Sequence, residues 1–235
     1  MNALRAMEGH LCALYESDSR GRLIGERAPS ERAAPRFHLA RTPLGNLWRL
    51  RADLSRELLL RLTKLASREN AFADEAQLPE REEFMRRVLE ESEPIASFWA
   101  GPVFAVPEAL VALPGSRARI CELTLADAER MDAGLGLSPR DLARPGCLGA
   151  EVAGRIVAVC ECARGDGSGP SEAGVITAPE QRGNGYGAAV VRAWCDWVRA
   201  CGGEPFYSTS WDNAASRALA ARLGFLPIGE DRHWH

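Results

Sequence analysis

The chain has 235 residues, of which 46% are hydrophobic and 26% charged, a composition that suits a globular fold of one large or two small domains. A net charge of −3 excludes the basic footprint of a nucleic-acid binder. No run of about 18 apolar residues marks a membrane span, and residues 1–10 lack the apolar core of a signal peptide.

Residues 11–15 and 23–24 are apolar pieces separated by Ser17-Asp18-Ser19-Arg20-Gly21, which predicts a hairpin. Residues 36–40 and 47–51 predict a second, with Gly45-Asn46 in its turn. Leu54, Leu58, Leu59, Leu62 and Leu65 recur at helical spacing after Asp53, a suitable N-cap. Another amphipathic helix is expected over residues 82–89, and residues 100–107 read as an irregular apolar segment. Residues 1–113 therefore make an N-terminal α+β module in which no catalytic constellation is evident. Pro114-Gly115-Ser116 punctuates the chain after it, which places a domain boundary there and leaves residues 114–235 as the second domain.

In that second domain residues 118–123 predict a strand, and Thr124 caps a helix running to about residue 133. Residues 147–152 and 155–163 predict strands joined through Ala153-Gly154, and residues 173–177 predict the next strand. A helix over 188–201 stops at Gly202-Gly203. A strand over 206–210 and a helix over 214–223, closed by Gly224, follow. The order β-α-β-β-β-α-β-α implies an α/β arrangement around a mixed sheet flanked by helices. The seven cysteines are scattered with no Cys-x-x-Cys pair, which points to reduced thiols and a cytoplasmic setting. Cys160 and Cys162 share a strand face, and packing explains them better than metal ligation.

The densest chemistry lies in Thr177-Ala178-Pro179-Glu180-Gln181-Arg182-Gly183-Asn184-Gly185-Tyr186-Gly187, between a predicted strand and a predicted helix. Glycines at alternate positions let the backbone approach a ligand closely. The helix that follows offers unpaired N–H groups and the positive end of its dipole, so the segment suits a pyrophosphate, with Arg182 adding charge. Gly183, Gly185 and Ala188 also fit the relaxed dinucleotide pattern. Against that, Pro179-Glu180-Gln181-Arg182 intervene before the first glycine, and too few residues follow for the remaining strand–helix units. A triphosphate loop needs Gly-Lys-Ser/Thr, and the one lysine, Lys64, is far away.

Arg182-Gly183-Asn184-Gly185-Tyr186-Gly187 resembles the acyl-CoA loop of the GNAT acyltransferase superfamily, whose pattern is Q/R-x-x-G-x-G/A. A second segment is similar to the family as well: Asn213-Ala214-Ala215-Ser216, then Leu219-Ala220-Ala221-Arg222-Leu223-Gly224-Phe225. The resemblance covers roughly residues 117–235. The N-terminal half also looks like the one that precedes a GNAT domain in some bacterial proteins of unassigned substrate. The resemblance implies a GNAT fold with two central strands splayed around CoA. It implies an N-acyltransferase that moves an acetyl group from acetyl-CoA, its co-substrate, to a small-molecule or peptide amine, with no metal, nucleic acid or membrane partner. A homodimer stays open. Thr177, Arg182, Gly183, Asn184, Gly185, Tyr186, Gly187 and Asn213 would then hold CoA, with helix capping the other role for Asn213.

A lysine-like amine, pKa about 10.4, is neutral in roughly one molecule in a thousand at about pH 7.4, so deprotonation costs about 4 kcal/mol. The thiolate leaving group, near 8.5, needs only about 1.5 kcal/mol of help, so the base matters more than the acid. Glu172, close to where many GNAT enzymes carry a glutamate, is the first candidate, with a solvated strand-end carboxylate as the alternative. Glu161 is the second; alternation puts it on the face of Val159, opposite Cys160 and Cys162. The family's thiolate-protonating tyrosine falls at Ala220 and is absent. Tyr207, Ser208, Ser210 or Ser216 could stand in, or the protein could be a catalytically weak or inactive acyl-CoA-binding sensor. Trp211 reads as packing, and His233 and His235 read as a tail with no third metal ligand.

Overall fold

The computed structural model describes residues 2–75, 77–112 and 117–235. The first part of the chain is α1 (Ala3–Leu14), β1 (Tyr15–Ser17), β2 (Leu23–Glu26), β3 (Phe37–Thr42), β4 (Gly45–Leu50), α2 (Arg56–Ala66), α3 (Glu82–Glu90) and β5 (Phe98–Ala105). There follow β6 (Arg119–Glu122), α4 (Pro139–Leu142), β7 (Leu148–Val152), β8 (Arg155–Arg164), β9 (Pro170–Thr177), α5 (Tyr186–Ala200), β10 (Glu204–Ser208), α6 (Ala214–Leu223) and β11 (Leu226–Trp234). Two compact units result. One is Met1–Phe104 with Ser208–Asn213 and Pro227–His235; the other is Ala105–Tyr207 with Ala214–Leu226. The expected boundary at Pro114-Gly115-Ser116 lies outside the described residues. No helix among the described residues is long and apolar enough to cross a membrane.

In the first unit the sheet runs β4-β3-β11-β5, with β3 antiparallel to both β4 and β11. Both predicted hairpins form, β1 with β2 and β3 with β4. Residues 11–14, however, close helix α1 rather than open a strand. Asn2 starts that helix, its side chain accepting from the N–H groups of Leu4 and Arg5, and Ala6, Met7, His10, Leu11 and Ala13 are its buried face. Helix α2 begins two residues later than expected, because Ser55 is the N-cap and accepts from Leu58 N–H, while Asp53 instead pairs with Arg51. Helices α2 and α3 pack Leu58, Leu62, Met85, Val88 and Leu89 onto Phe37, Leu39 and Trp234.

Residues 98–105 form strand β5, not the irregular segment that Gly101-Pro102 suggested. The carbonyls of Pro102 and Ala100 accept from Thr209 and Trp211 N–H, which ties the strand to the backbone of residues 209–211. Gly101 has no room for a side chain: a Cβ would stand 1.8 Å from the Thr209 carbonyl oxygen.

The C-terminal residues are also no tail. Strand β11 lies beside β3 in register from Glu230↔Arg41 to Trp234↔Phe37. Alternation turns Glu230, Arg232 and Trp234 toward one face, and Asp231 and His233 toward the other. On the first face Arg41 donates to Glu230 at 2.5 Å, and Arg232 bonds Glu230 and Glu82. On the second, Asp231 faces His10 at 2.7 Å and His38 at 3.1 Å, and His38 Nδ1 meets the Tyr15 hydroxyl at 3.0 Å. His233 stacks between His38 and Trp99 and its Nδ1 lies 3.2 Å from His235 Nε2. All four histidines of the chain therefore meet in this unit, yet no group of three or more His, Cys, Asp or Glu among the described residues is arranged to hold a metal ion.

The second unit holds the sheet β10-β9-β8-β7-β6, antiparallel from β6 to β9 and parallel between β9 and β10. This is the expected mixed sheet. Helix α5 packs across β7, β8 and β9 and buries Ala188, Val190, Val191, Trp194, Cys195 and Val198. The opposite face is covered by Leu123, Leu135, Leu142, Ile156, Val159 and Ala178. The helix expected after Thr124 is two 3-10 turns, Leu125–Arg130 and Ala133–Leu135. Asp127 accepts from both the N–H and the hydroxyl of Thr124, which closes the first turn. Gly134 presses so closely on Pro179 that a Cβ would stand 2.8 Å from the ring. The segment before β6 is pinned to this unit: Arg199 donates to the carbonyls of Val106 and Pro107, and Arg192 to that of Val111.

The buried ion network makes the first unit acid-sensitive. Burial alone would raise the Asp231 carboxyl, but His38 and His10 outweigh it and hold it below the usual carboxylate range. Burial pushes the His233 imidazole down to about 3, and His38 adds to this. Both folded values lie below the unfolded ones, about 6.5 for His and 3.9 for Asp. Each group thus contributes stability above its unfolded pKa and loses it as pH falls toward the folded value. The denaturant midpoint, followed by tryptophan emission, should decline from about pH 6.5 downward and more steeply below about pH 4. Asp231→Asn should remove the steeper limb.

Candidate functional site

Strand β9 ends at Thr177, and its last residues are fully paired with β8, out to Thr177↔Ala158. Ala178 N–H bonds the Val157 carbonyl, after which Pro179–Gln181 make one 3-10 turn. Arg182 folds back, its Nε donating to the Thr177 carbonyl at 3.4 Å. Asn184 Nδ2 donates to the carbonyls of Gln181 and Arg182, so this side chain closes the loop on itself. Gly183 has φ 80° and Gly185 φ 83°, the left-handed region that other residues enter at a cost. Gly185 is the N-cap of α5 and no side chain caps that helix. The first-turn amides and the positive end of a 15-residue helix are thereby left without a side-chain cap.

Gly187 is a glycine for a different reason. A Cβ there would stand 2.9 Å from Thr177 Oγ1 and 3.3 Å from Leu219 Cδ1, at the junction of β9, α5 and α6. A Cβ on Gly185 would stand 3.3 Å from Arg222 Nη2. The Arg222 guanidinium, from the last turn of α6, therefore sits beside the loop as a second cation. Sequence reasoning gave it no role, although it stands in the quoted segment 219–225.

The parallel pairing of β9 with β10 covers Glu204↔Pro170, Pro205↔Ser171 and Phe206↔Glu172. The ladder ends there, although β9 continues to Thr177 and β10 to Ser208. Glu172, 5% exposed, stands at its last pair. Alternation puts Glu172, Gly174 and Ile176 on one face, and Ile176 packs with Leu135 and Leu137 on the side away from α5. Glu161 is the register partner of Gly174 and shares this face, as alternation requires. The two candidate carboxylates thus line one surface, with Gly174 between them. Burial raises the Glu161 carboxyl, and Arg144 at 3.5 Å pulls the other way without cancelling it. Arg144 also holds Asp141 at 3.2 Å; nothing in the sequence marked it.

The acetyltransferase (GNAT) family pattern matches residues 118–225. Residues 118–225 thus match a GNAT acetyltransferase domain. No curated protein matches the chain. Among solved structures, a GNAT-family acetyltransferase from Colwellia psychrerythraea is similar at 20% identity, covering 80% of this chain and 75% of that one with a TM-score of 0.47. A GCN5-related N-acetyltransferase-like protein from Streptococcus suis is similar at 15% identity, covering 86% and 85%, with a TM-score of 0.47. An acetyltransferase from Salmonella typhimurium, solved with acetyl-CoA, is similar at 20% identity, covering 37% and 63%, with a TM-score of 0.30.

Within the matched residues the structure brings together Thr177, Arg182, Gly183, Asn184, Gly185, Tyr186 and Gly187 at the head of α5. Asn213 is exposed, its N–H bonds the Ser210 carbonyl, and it groups with the other compact unit. Ala220, where the family tyrosine would fall, is fully buried. Tyr207 and Ser216 meet through their hydroxyls at 2.6 Å.

The contacts around the loop separate packing from conformation. Gly187→Ala should cost about 1–3 kcal/mol by overpacking against Thr177 and Leu219. Gly183→Ala, with nothing within 4 Å of its Cβ, should cost only the left-handed strain of about 1–2 kcal/mol. Urea unfolding of the two variants checks the order.

Proposed function

We propose that the GNAT domain transfers the acetyl group of acetyl-CoA to an amine of a small molecule or peptide. The CoA diphosphate lies on the amides of residues 183–187, with Arg182 and Arg222 as counter-charges, and the thioester lies in the opening between β9 and β10. What supports this is the direct run of a strand that parts from its neighbour into a glycine loop and then into an uncapped helix. Amides left without an internal acceptor favour an anion in that place. All seven cysteines are unpaired thiols, which supports a reducing, cytoplasmic compartment.

Glu172 acts as the base, directly or through one water. It stands where the strands part, and its burial puts a carboxylate in a site of low dielectric, where proton abstraction from an ammonium is favoured by proximity. Backbone N–H groups on β9 beyond Glu172 face the opening, and one of them receives the oxyanion of the tetrahedral intermediate. Glu161, on the same face, meets the acceptor. The buried alanine at position 220 favours a second reading, an acyl-CoA sensor without turnover.

Calorimetry with acetyl-CoA tests the ligand. Micromolar binding is expected, and Gly185→Glu, which sets a carboxylate in the diphosphate site, should abolish it; equal heats for both proteins would refute the placement. Turnover is followed as free thiol over a panel of amines. Glu172→Gln should lower kcat about 10²–10⁴-fold with the KM for acetyl-CoA little changed. CoA binding without thiol release on any amine would leave the sensor reading.

A further inference from the structure

Strand β8 carries one residue more than its ladder with β9 can use. The pairing runs Glu161↔Gly174 and Cys162↔Ala173, then passes to Arg164↔Glu172, so Ala163 is the extra residue. This is a β-bulge, a device that re-aims a side chain. Plain alternation from Glu161 would turn Arg164 to the face of Cys162. The bulge turns it to the face of Glu172 and makes it that residue's cross-strand neighbour, a pair whose Cβ atoms lie about 5 Å apart. Gly174 marks the same face: a Cβ there would stand 3.1 Å from Ala163 Cβ and 3.7 Å from Glu161 Cγ. The bulge is also held in place. Arg164 Nη1 donates to the Ala163 carbonyl at 2.6 Å. Gly165 follows at φ 83°, where a Cβ would stand 2.7 Å from Ser171 Oγ. Ser171 is fully buried; its hydroxyl accepts from Gly167 N–H and donates to the Gly169 carbonyl.

Glu172 therefore has unlike neighbours on its two sides. On β10 its partner is Phe206, a fully buried apolar ring. On β8 it is Arg164, half-buried. Glu161, across from Gly174, is the next charge along this face, with Arg144 and Asp141 beyond it. Tyr207 follows Phe206 on β10; burial pushes its phenol up to about 12, and the charges of Cys160 and Glu172 add to this.

We propose that Arg164 is a positioning residue for Glu172, its guanidinium supplying the counter-charge that keeps the carboxylate ionised and in place. This rests on the reading of Glu172 as the base that takes the amine proton. A carboxylate buried beside an apolar ring takes up a proton unless a cation or hydrogen bonds hold its charge, and a protonated carboxyl is no base. A guanidinium keeps its charge across the working range. Arg164 acts through Glu172, not on the amine itself.

The test uses the whole protein and needs no acceptor. The side-chain carboxyl carbon of Glu172 is followed by carbon-13 NMR against pH and assigned by its loss in Glu172→Gln. In Arg164→Met it should titrate about 1–3 pH units higher than in the wild type. Arg164→Gln, which keeps a hydrogen-bonding side chain without the charge, should give the same shift, and Arg164→Lys should return the titration toward the wild type. On an amine that the wild type acetylates, the acid limb of kcat should move in the same direction in Arg164→Met, with the KM for acetyl-CoA unchanged. A Glu172 titration that is the same in all four proteins overturns the positioning role and leaves the acetyltransferase reading intact. A shifted titration without thiol release on any amine overturns the reading of Glu172 as a base, and the role of Arg164 with it.

Discussion

Everything at the site depends on two neighbouring strands being anchored to different partners. Strand β9 is held by β8 along its whole second half, out to Thr177↔Ala158. Strand β10 keeps only three parallel partners on β9 and then follows Tyr207, whose hydroxyl is tied to α6 and whose ring packs on Phe225. The end of the β9–β10 ladder therefore follows from where the side chains on either strand are fixed.

The glycine loop continues the same logic. Its glycines answer to three separate demands. Gly183 and Gly185 supply a left-handed backbone, Gly185 brings the loop alongside Arg222, and Gly187 lets α5 start against Thr177. The last demand couples the loop to the fork, because Thr177 is also the end of β9. In the proposed placement, a ligand that spans diphosphate and thioester is read by one continuous piece of backbone.

The first unit shows how charge can be buried in a strand. Arg41, Glu230, Arg232, Asp231, His10 and His38 are all nearly inaccessible, yet each faces an opposite charge or a hydrogen-bonding neighbour. A polar group is tolerated in the interior only when it is paired, and here strand alternation delivers the acid and base partners to matching faces. Asp231 and Glu230, adjacent in sequence, serve two different networks on opposite sides of the sheet.

The sequence by itself determined what depends on neighbours along the chain. The hairpin turns, the helices α2, α3, α5 and α6 and the glycine loop were all legible, because spacing and turn chemistry are local properties. Residues 226–234 were not, since a run such as Glu230-Asp231-Arg232-His233 looks solvated until partners on α1, α3 and β3 are supplied. Gly101-Pro102 looked irregular for a similar reason: what completes that strand is the backbone of residues 209–211. Only the tertiary structure could decide that Glu161 and Glu172 share a face, that Arg222 lies against the loop, and that Tyr207 meets Ser216. Those contacts join residues far apart along the chain, and their geometry comes from sheet register and helix packing, which no local pattern encodes.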